Sequence, residues 1–247
     1  MTNINTVGRF FSQHCRNLCL WLLVVAYGMG QNTYAQMNLP NHDKKNIHFG
    51  ISLGFNNSQF ALTHSDAFTY HDTILVAESP KSPGFNVGII SNLHLTKHLD
   101  FRFIPTLSFT EKDLMYVENF GGEANINTPK TVESILLASP FLLKYKSDRF
   151  FDNFRFYIIG GARFDWDFAS NSQARRATDI IKLDRYEVLA EYGFGLEFYF
   201  PLFILSPEIK ISQGLTNTHV PTPNLRYSDV LERLRSRYVM VSVQFEG

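Results

Sequence analysis

The residues best equipped for chemistry lie in YEVLAEYGFGLEFYF, Tyr186–Phe200. Glu187, Glu191 and Glu197 share one parity with Gly193 and Gly195. Tyr186, Val188, Ala190, Tyr192, Phe194, Leu196, Phe198 and Phe200 take the other. Side chains of a strand alternate between its faces, so three carboxylates stand opposite an unbroken apolar ribbon. Aligned carboxylates could serve as acid–base equipment. The same parity puts Arg102, Arg155, Arg163, Asp165, Asp167, Glu208 and Lys210 opposite apolar faces elsewhere in the chain. Buried charges survive chiefly when paired, so these ten residues are expected to form one neutralising network. Arg155 and Arg163 are the expected partners of the glutamates on the neighbouring strand. A narrow polar path through the network is the functional alternative.

Other constellations are weaker. His64 and Ser65 are adjacent, with His71 and Asp72 nearby. A Ser–His–acid set needs convergence in space rather than in sequence, and this stretch reads as a polar loop. His94 and His98 have no second pair of ligands at metal spacing. There is no phosphate loop or dinucleotide fingerprint. No catalytic residue, metal, cofactor or small-molecule substrate is therefore expected.

Eight segments alternate with period two and must position these charges. They are 47–62, 84–95, 99–110, 131–145, 154–168, 186–200, 203–213 and 236–246. Segment 131–145 is apolar on both faces, which leaves its orientation open. Links 63–83, 111–130, 169–185 and 214–235 are long, whereas 96–98, 146–153 and 201–202 are shorter. Such alternation fits antiparallel hairpins of a transmembrane barrel, with short turns on the periplasmic side. Both termini would then be periplasmic. The predicted fold class is all-β: an eight-stranded antiparallel up-and-down transmembrane barrel, preceded by a cleavable signal peptide.

Energetics choose the lipid face. An Arg or Lys facing lipid near the bilayer midplane costs about 2–4 kcal/mol. Reversing the faces of Arg102, Arg155, Arg163 and Lys210 would accumulate a cost comparable with a domain's whole stability of about 5–15 kcal/mol. A secreted lipocalin-like barrel would instead enclose the apolar side chains. The apolar faces are too aromatic and continuous for a small calyx, the chain holding 23 Phe and 11 Tyr in 247 residues. An eight-stranded barrel is just wide enough to be filled by its own side chains.

The first 35 residues are a separate object. Arg9 and Arg16 precede the short apolar run Leu18–Gly30, and Thr33–Ala35 forms a small-residue cleavage site. That order reads as a signal peptide, 1–35, followed by a barrel domain, 36–247. Cleavage removes Cys15 and Cys19, the only two cysteines, so no disulfide or thiol site is expected. It also removes two of the 23 basic residues, leaving 21 against 23 acidic. Nothing in that balance suggests nucleic acid. In the last long link, YSDVLERLRSR (Tyr227–Arg237) suggests a short capped helix. Tyr227, Asp229, Leu231 and Leu234 would give it a packing or docking face.

Five blocks, in order, resemble PorT-family outer-membrane proteins. They are SPGFNVGIISNLHLTKHLDFRFIPTLSF (Ser82–Phe109), FLLKYKS (Phe141–Ser147), YIIGGARFDWDFAS (Tyr157–Ser170), SPEIKISQGL (Ser206–Leu215) and the terminal LRSRYVMVSVQFEG. The resemblance implies a non-enzymatic outer-membrane component or assembly factor of type IX secretion. It also implies other secretion-system envelope proteins as partners, alongside outer-membrane lipid. The alternative is a small structural or adhesive outer-membrane barrel with extracellular binding loops.

Overall fold

The computed structural model describes residues 37–64, 74–120, 123–168, 183–220 and 231–247. The predicted signal segment 1–35 lies outside them, as do Ser65, His71 and Asp72. Among the described residues, ten strands form one antiparallel sheet: β1 Ile47–His64, β2 Ile74–Glu78, β3 Ser82–Thr96, β4 Leu99–Phe103, β5 Thr106–Phe120, β6 Glu123–Lys146, β7 Phe154–Asp167, β8 Tyr186–Tyr199, β9 Ile204–Gly214 and β10 Leu231–Glu246. The β1–β10 and β1–β3 ladders close the sheet into a ring. No helix among the described residues is long and apolar enough to cross a membrane.

The ring has eight strands because β4 and β5 act as one. The ladder breaks at Ile104–Pro105, but the register does not slip. Ser91↔Phe103 on one side and Gly88↔Thr106 on the other keep a common offset. Pro105 has no N–H for the ladder, and its carbonyl accepts from the Ile89 N–H at 3.1 Å. Thr106 Oγ1 donates to the Ile104 carbonyl at 2.8 Å. Pro140 of β6 lies opposite this interruption, where a missing N–H need not remove a ladder bond. The segment read as continuous over 99–110 is thus one barrel strand with a proline break.

Parity holds around the wall. In β1, Ile47, Phe49, Ile51, Leu53 and Phe55 are exposed, while His48, Ser52 and Asn56 are buried. The open orientation of β6 is resolved: Ser134, Leu136, Ala138, Leu142, Lys144 and Lys146 point inward, and Ile135, Phe141, Leu143 and Tyr145 outward. Aromatic residues mark both margins of the outer belt. Phe55, Trp166, Phe168 and Tyr186 lie toward one end, and Tyr145, Phe150, Phe200 and Phe203 toward the other. Only strands closed into a ring satisfy every backbone group within hydrocarbon.

Two expected links contain strands. β5 continues through 111–120 and β6 begins at 123, and the two stay paired in register as far as Phe120↔Glu123. β2 pairs with β5 from Ile74↔Glu118 to Glu78↔Met115, inside the expected link 63–83. Strands that leave the barrel already paired gain further ladder bonds with little added ordering, so pairing continues past the apolar belt. Between Glu111 and Phe120 the hairpin extends roughly 30 Å along the strand. The predicted helix is also corrected. Leu231 and Leu234 belong to β10, paired with His64 and Leu62 of β1, and are almost fully buried. Ladder pairing and burial outweigh the local capping pattern there. Tyr227 and Asp229 lie outside the described residues.

Candidate functional site

The charged interior is built in three tiers. The central one is organised by Arg102 on β4, whose side chain is completely buried. It donates to Gln244 at 2.7 Å and Glu246 at 2.5 Å, both on β10, and lies 3.3 Å from Glu208 on β9. Glu208 also accepts from the Tyr157 hydroxyl and the Gln244 amide, each at 2.7 Å. Lys210 stands 3.4 Å from both Glu208 and Glu191, linking this group to β8. Tyr157 fits because Gly195 lies beneath it. An added Cβ there would overlap the phenol ring.

Arg163 on β7 opens the tier nearer the long hairpin. It binds Asp165 through two hydrogen bonds of 2.6 and 2.7 Å and approaches Glu191 at 3.6 Å. Its guanidinium lies 4.8 Å from the Tyr238 ring centre. The Ser212 hydroxyl donates to Glu191 at 2.7 Å. Glu187 accepts instead from the Ser236 backbone N–H at 2.9 Å, and Asp167 from the Ser134 hydroxyl at 2.9 Å. Lys112 donates to the Ser236 hydroxyl at 2.6 Å, its amine held between the Phe60 and Tyr238 rings.

At the short-turn end, Arg155 and Glu197 are direct cross-strand neighbours, with a closest approach of 3.8 Å. Lys144 forms the tighter ion pair with Glu197, which also accepts from the Tyr199 hydroxyl at 2.8 Å. Beside them Asp100 holds Lys146 at 2.9 Å and His94 Nδ1 at 2.7 Å. His98 Nδ1 lies 3.1 Å from the Lys146 carbonyl oxygen.

The segment before β1 closes this end. A turn of 3-10 helix over His42–Lys44 brings Asp43 to Arg155 and Arg149 at 3.1 and 3.0 Å. Arg149 also donates to the Asn38 carbonyl at 2.8 Å, and the Asn38 N–H donates to Asn153 at 2.8 Å. His42 stacks on His48 at 3.7 Å. Burial pulls the Asp43 carboxyl upward, but the two guanidiniums outweigh it and hold the group well below the usual carboxylate range. His42 Nδ1, 4.0 Å from Asp43, is too distant to share a hydrogen bond in that effect.

All ten charges read from the sequence face the interior. Arg102, Glu208, Lys210, Glu191, Arg163 and Asp165 are joined through one chain of contacts. Arg155 and Glu197 belong to the short-turn tier, whereas Glu187 accepts from the Ser236 backbone N–H and Asp167 from the Ser134 hydroxyl. The ten-residue network read from the sequence left out Lys144, Lys146, Asp100, Glu246, Lys112, Asp43 and Arg149. Parity already sets Asp100 and Glu246 opposite the apolar ribbons of β4 and β10, and carried on into β5 it would have placed Lys112 as well. Asp43 and Arg149 lie outside the barrel strands and carried no periodic signal.

The arrangement neutralises charge rather than displaying it. Two spaces in the lumen of the described residues are small: one of about 20 Å³ beside Ser52, Arg163 and Glu191, another of about 20 Å³ beside Lys112, Asp165 and Glu187. Each has room for about one water molecule.

Several known proteins share features with this chain. Ail of Yersinia pestis, in complex with the heparin analogue sucrose octasulfate, is 12% identical over 82% of this chain and 100% of its own, with a TM-score of 0.37. OprG of Pseudomonas aeruginosa is 11% identical over 81% of this chain and 94% of its own, with a TM-score of 0.46. Among curated proteins, none matches. Residues 34–220 match the family described as outer membrane protein beta-barrel domain. With that match spanning most of the sequence, and a closed ring of strands bearing an apolar outer belt, the chain belongs to the outer-membrane β-barrel family.

Proposed function

We propose that this outer-membrane barrel is a non-enzymatic component or assembly factor of type IX protein secretion, acting through its surfaces rather than its lumen. The observation that carries the surface reading is the packed interior of the described residues, whose charges are largely held by one another and which leaves two spaces of about 20 Å³ each beside them. The secretion reading rests on the five ordered PorT-like blocks. Three of them start β3, end β6 and occupy most of β9. In this reading both termini and the short turns are periplasmic, and the β2–β5–β6 extension projects from the cell. Other envelope proteins of the secretion machinery are the partners. The test is deletion of the gene, followed by assay of type IX cargo at the cell surface. Cargo should accumulate in the periplasm and be released again on complementation; normal export in the deletion strain would refute the role.

A second reading, a structural or adhesive barrel, is favoured by the raised β2–β5–β6 sheet. Shortening the hairpin beyond Glu111 and Glu133 should then abolish surface binding while cargo export stays normal.

A further inference from the structure

Between β3 and β5 the barrel wall is poorly sealed on its outer side. The β3–β5 ladder runs only from Phe85↔Phe109 to Gly88↔Thr106, whereas β5 pairs with β6 along its whole length. Ser82, Pro83 and Gly84 pair with β1 alone. Pro83 has no N–H to offer β5. Gly84 lets the Phe109 carbonyl approach where a Cβ would otherwise sit. Toward the lumen, hydroxyls close the seam. Ser58 Oγ lies 2.5 Å from the Glu111 carbonyl oxygen, and Ser82 Oγ donates to Asp113 at 2.7 Å. Toward the outside a cleft of about 280 Å³ remains, bordered by Pro83, Phe85, Phe109 and Ile135, with Glu111 and Glu133 also on its wall.

We propose that this cleft seats an acyl chain of an amine-headgroup lipid, whose ammonium lies between the carboxylates of Glu111 and Glu133. Two observations select this occupant. The first is continuity with the lipid-facing belt. Phe55, Phe85, Phe109 and Ile135 are successive cross-strand partners along one margin of it, and Phe85 stacks on Phe109 at 4.5 Å. A hydrocarbon chain suits such a wall. The second is charge. Glu111 and Glu133 are exposed and directly opposite in register, an arrangement that destabilises a β-pair. Neither has an ion-pair partner among the described residues. A primary ammonium has three N–H donors and can bridge both carboxylates. A quaternary choline has none, and an anionic headgroup would be repelled.

The experiment is native mass spectrometry of the folded barrel released from nanodiscs. The discs contain equal parts of phosphatidylethanolamine, phosphatidylcholine and phosphatidylglycerol with identical acyl chains. One ethanolamine lipid should be retained severalfold more often than either competitor. The doubly substituted E111Q/E133Q barrel should lose this preference while keeping its heat-modifiable mobility, and I135W, which fills the cleft, should retain less of all three lipids. Equal retention by the unaltered barrel, a preference for phosphatidylglycerol, a preference surviving E111Q/E133Q, or full retention by I135W would each overturn the proposal.

Discussion

Replacing Arg102 with Met removes the central charge of the lumen while keeping an unbranched apolar stem of similar length. Arg102 is fully buried and holds Glu246 at 2.5 Å, Gln244 at 2.7 Å and Glu208 at 3.3 Å. Glu208 would keep Tyr157, Gln244 and Lys210. Glu246 would be left as a buried carboxylate without its arginine. Removing one partner of a buried pair destabilises by about 3–5 kcal/mol, because the other charge stays buried and uncompensated. A domain of ordinary stability holds about 5–15 kcal/mol, so R102M should fold with a clearly lower unfolding midpoint. Adding E246Q removes the orphaned charge. The double variant should therefore recover part of the loss, with a coupling of about 1–3 kcal/mol for residues sharing one network. The assay is urea unfolding of the barrel in phospholipid vesicles, followed by Trp166 fluorescence and heat-modifiable mobility. If R102M lay within about 0.5 kcal/mol of the unaltered barrel, the range of inconsequential surface changes, the network would not stabilise the fold. Strictly additive losses in the double variant would refute the pairing itself.

Three further outcomes follow from the geometry. Gly195→Val should displace the Tyr157 ring and its hydrogen bond to Glu208, lowering stability by about 1–3 kcal/mol in the same titration. Phe194→Arg, halfway along the exposed ribbon of β8, should cost about 2–4 kcal/mol in vesicles, while Leu202→Arg at an exposed turn should change little. The Asp43 clamp should respond to acid. Its carboxyl is depressed in the folded chain, so its contribution is fully present above the unfolded value of about 3.9 and is lost as pH falls below it through the folded value. Hydrogen-exchange protection of Asn38–Lys45 should therefore decline only below about pH 4, and D43N should remove that protection at neutral pH.

The legible part of the fold was its parity. Charged residues opposite continuous Phe, Tyr, Ile and Val ribbons allow one orientation in a bilayer, so the interior positions of β1, β4, β7, β8 and β9 could be read directly. β6 resisted because Leu136, Ala138 and Leu142 point inward, with Leu142 packing against Tyr157 and Ile159. Its inner face therefore looks as apolar as its outer one, and Lys144 and Lys146 were passed over. Above the apolar belt the strand signal weakens, since water can satisfy either face. That is why 111–130 read as a link although 111–120 and 123–130 continue the ladder. The pattern in Tyr227–Arg237 failed for the opposite reason: its local capping signal is real, but β1 offers Leu231–Arg237 a partner strand. Within the charged interior, same-parity residues were legible as a set, but their pairing was not. Arg102 reaches β9 and β10 across the barrel, and no sequence spacing encodes that distance.

The sealed interior is the claim on which the surface reading depends, and planar-bilayer recording tests it most directly. The folded barrel, inserted into a lipid bilayer in simple salt, should give no discrete conductance steps, because Arg102, Glu208, Lys210 and Glu191 bridge β4, β8 and β9 across the lumen. Stable unitary conductance that vanishes with the protein and changes in R102M would contradict that account.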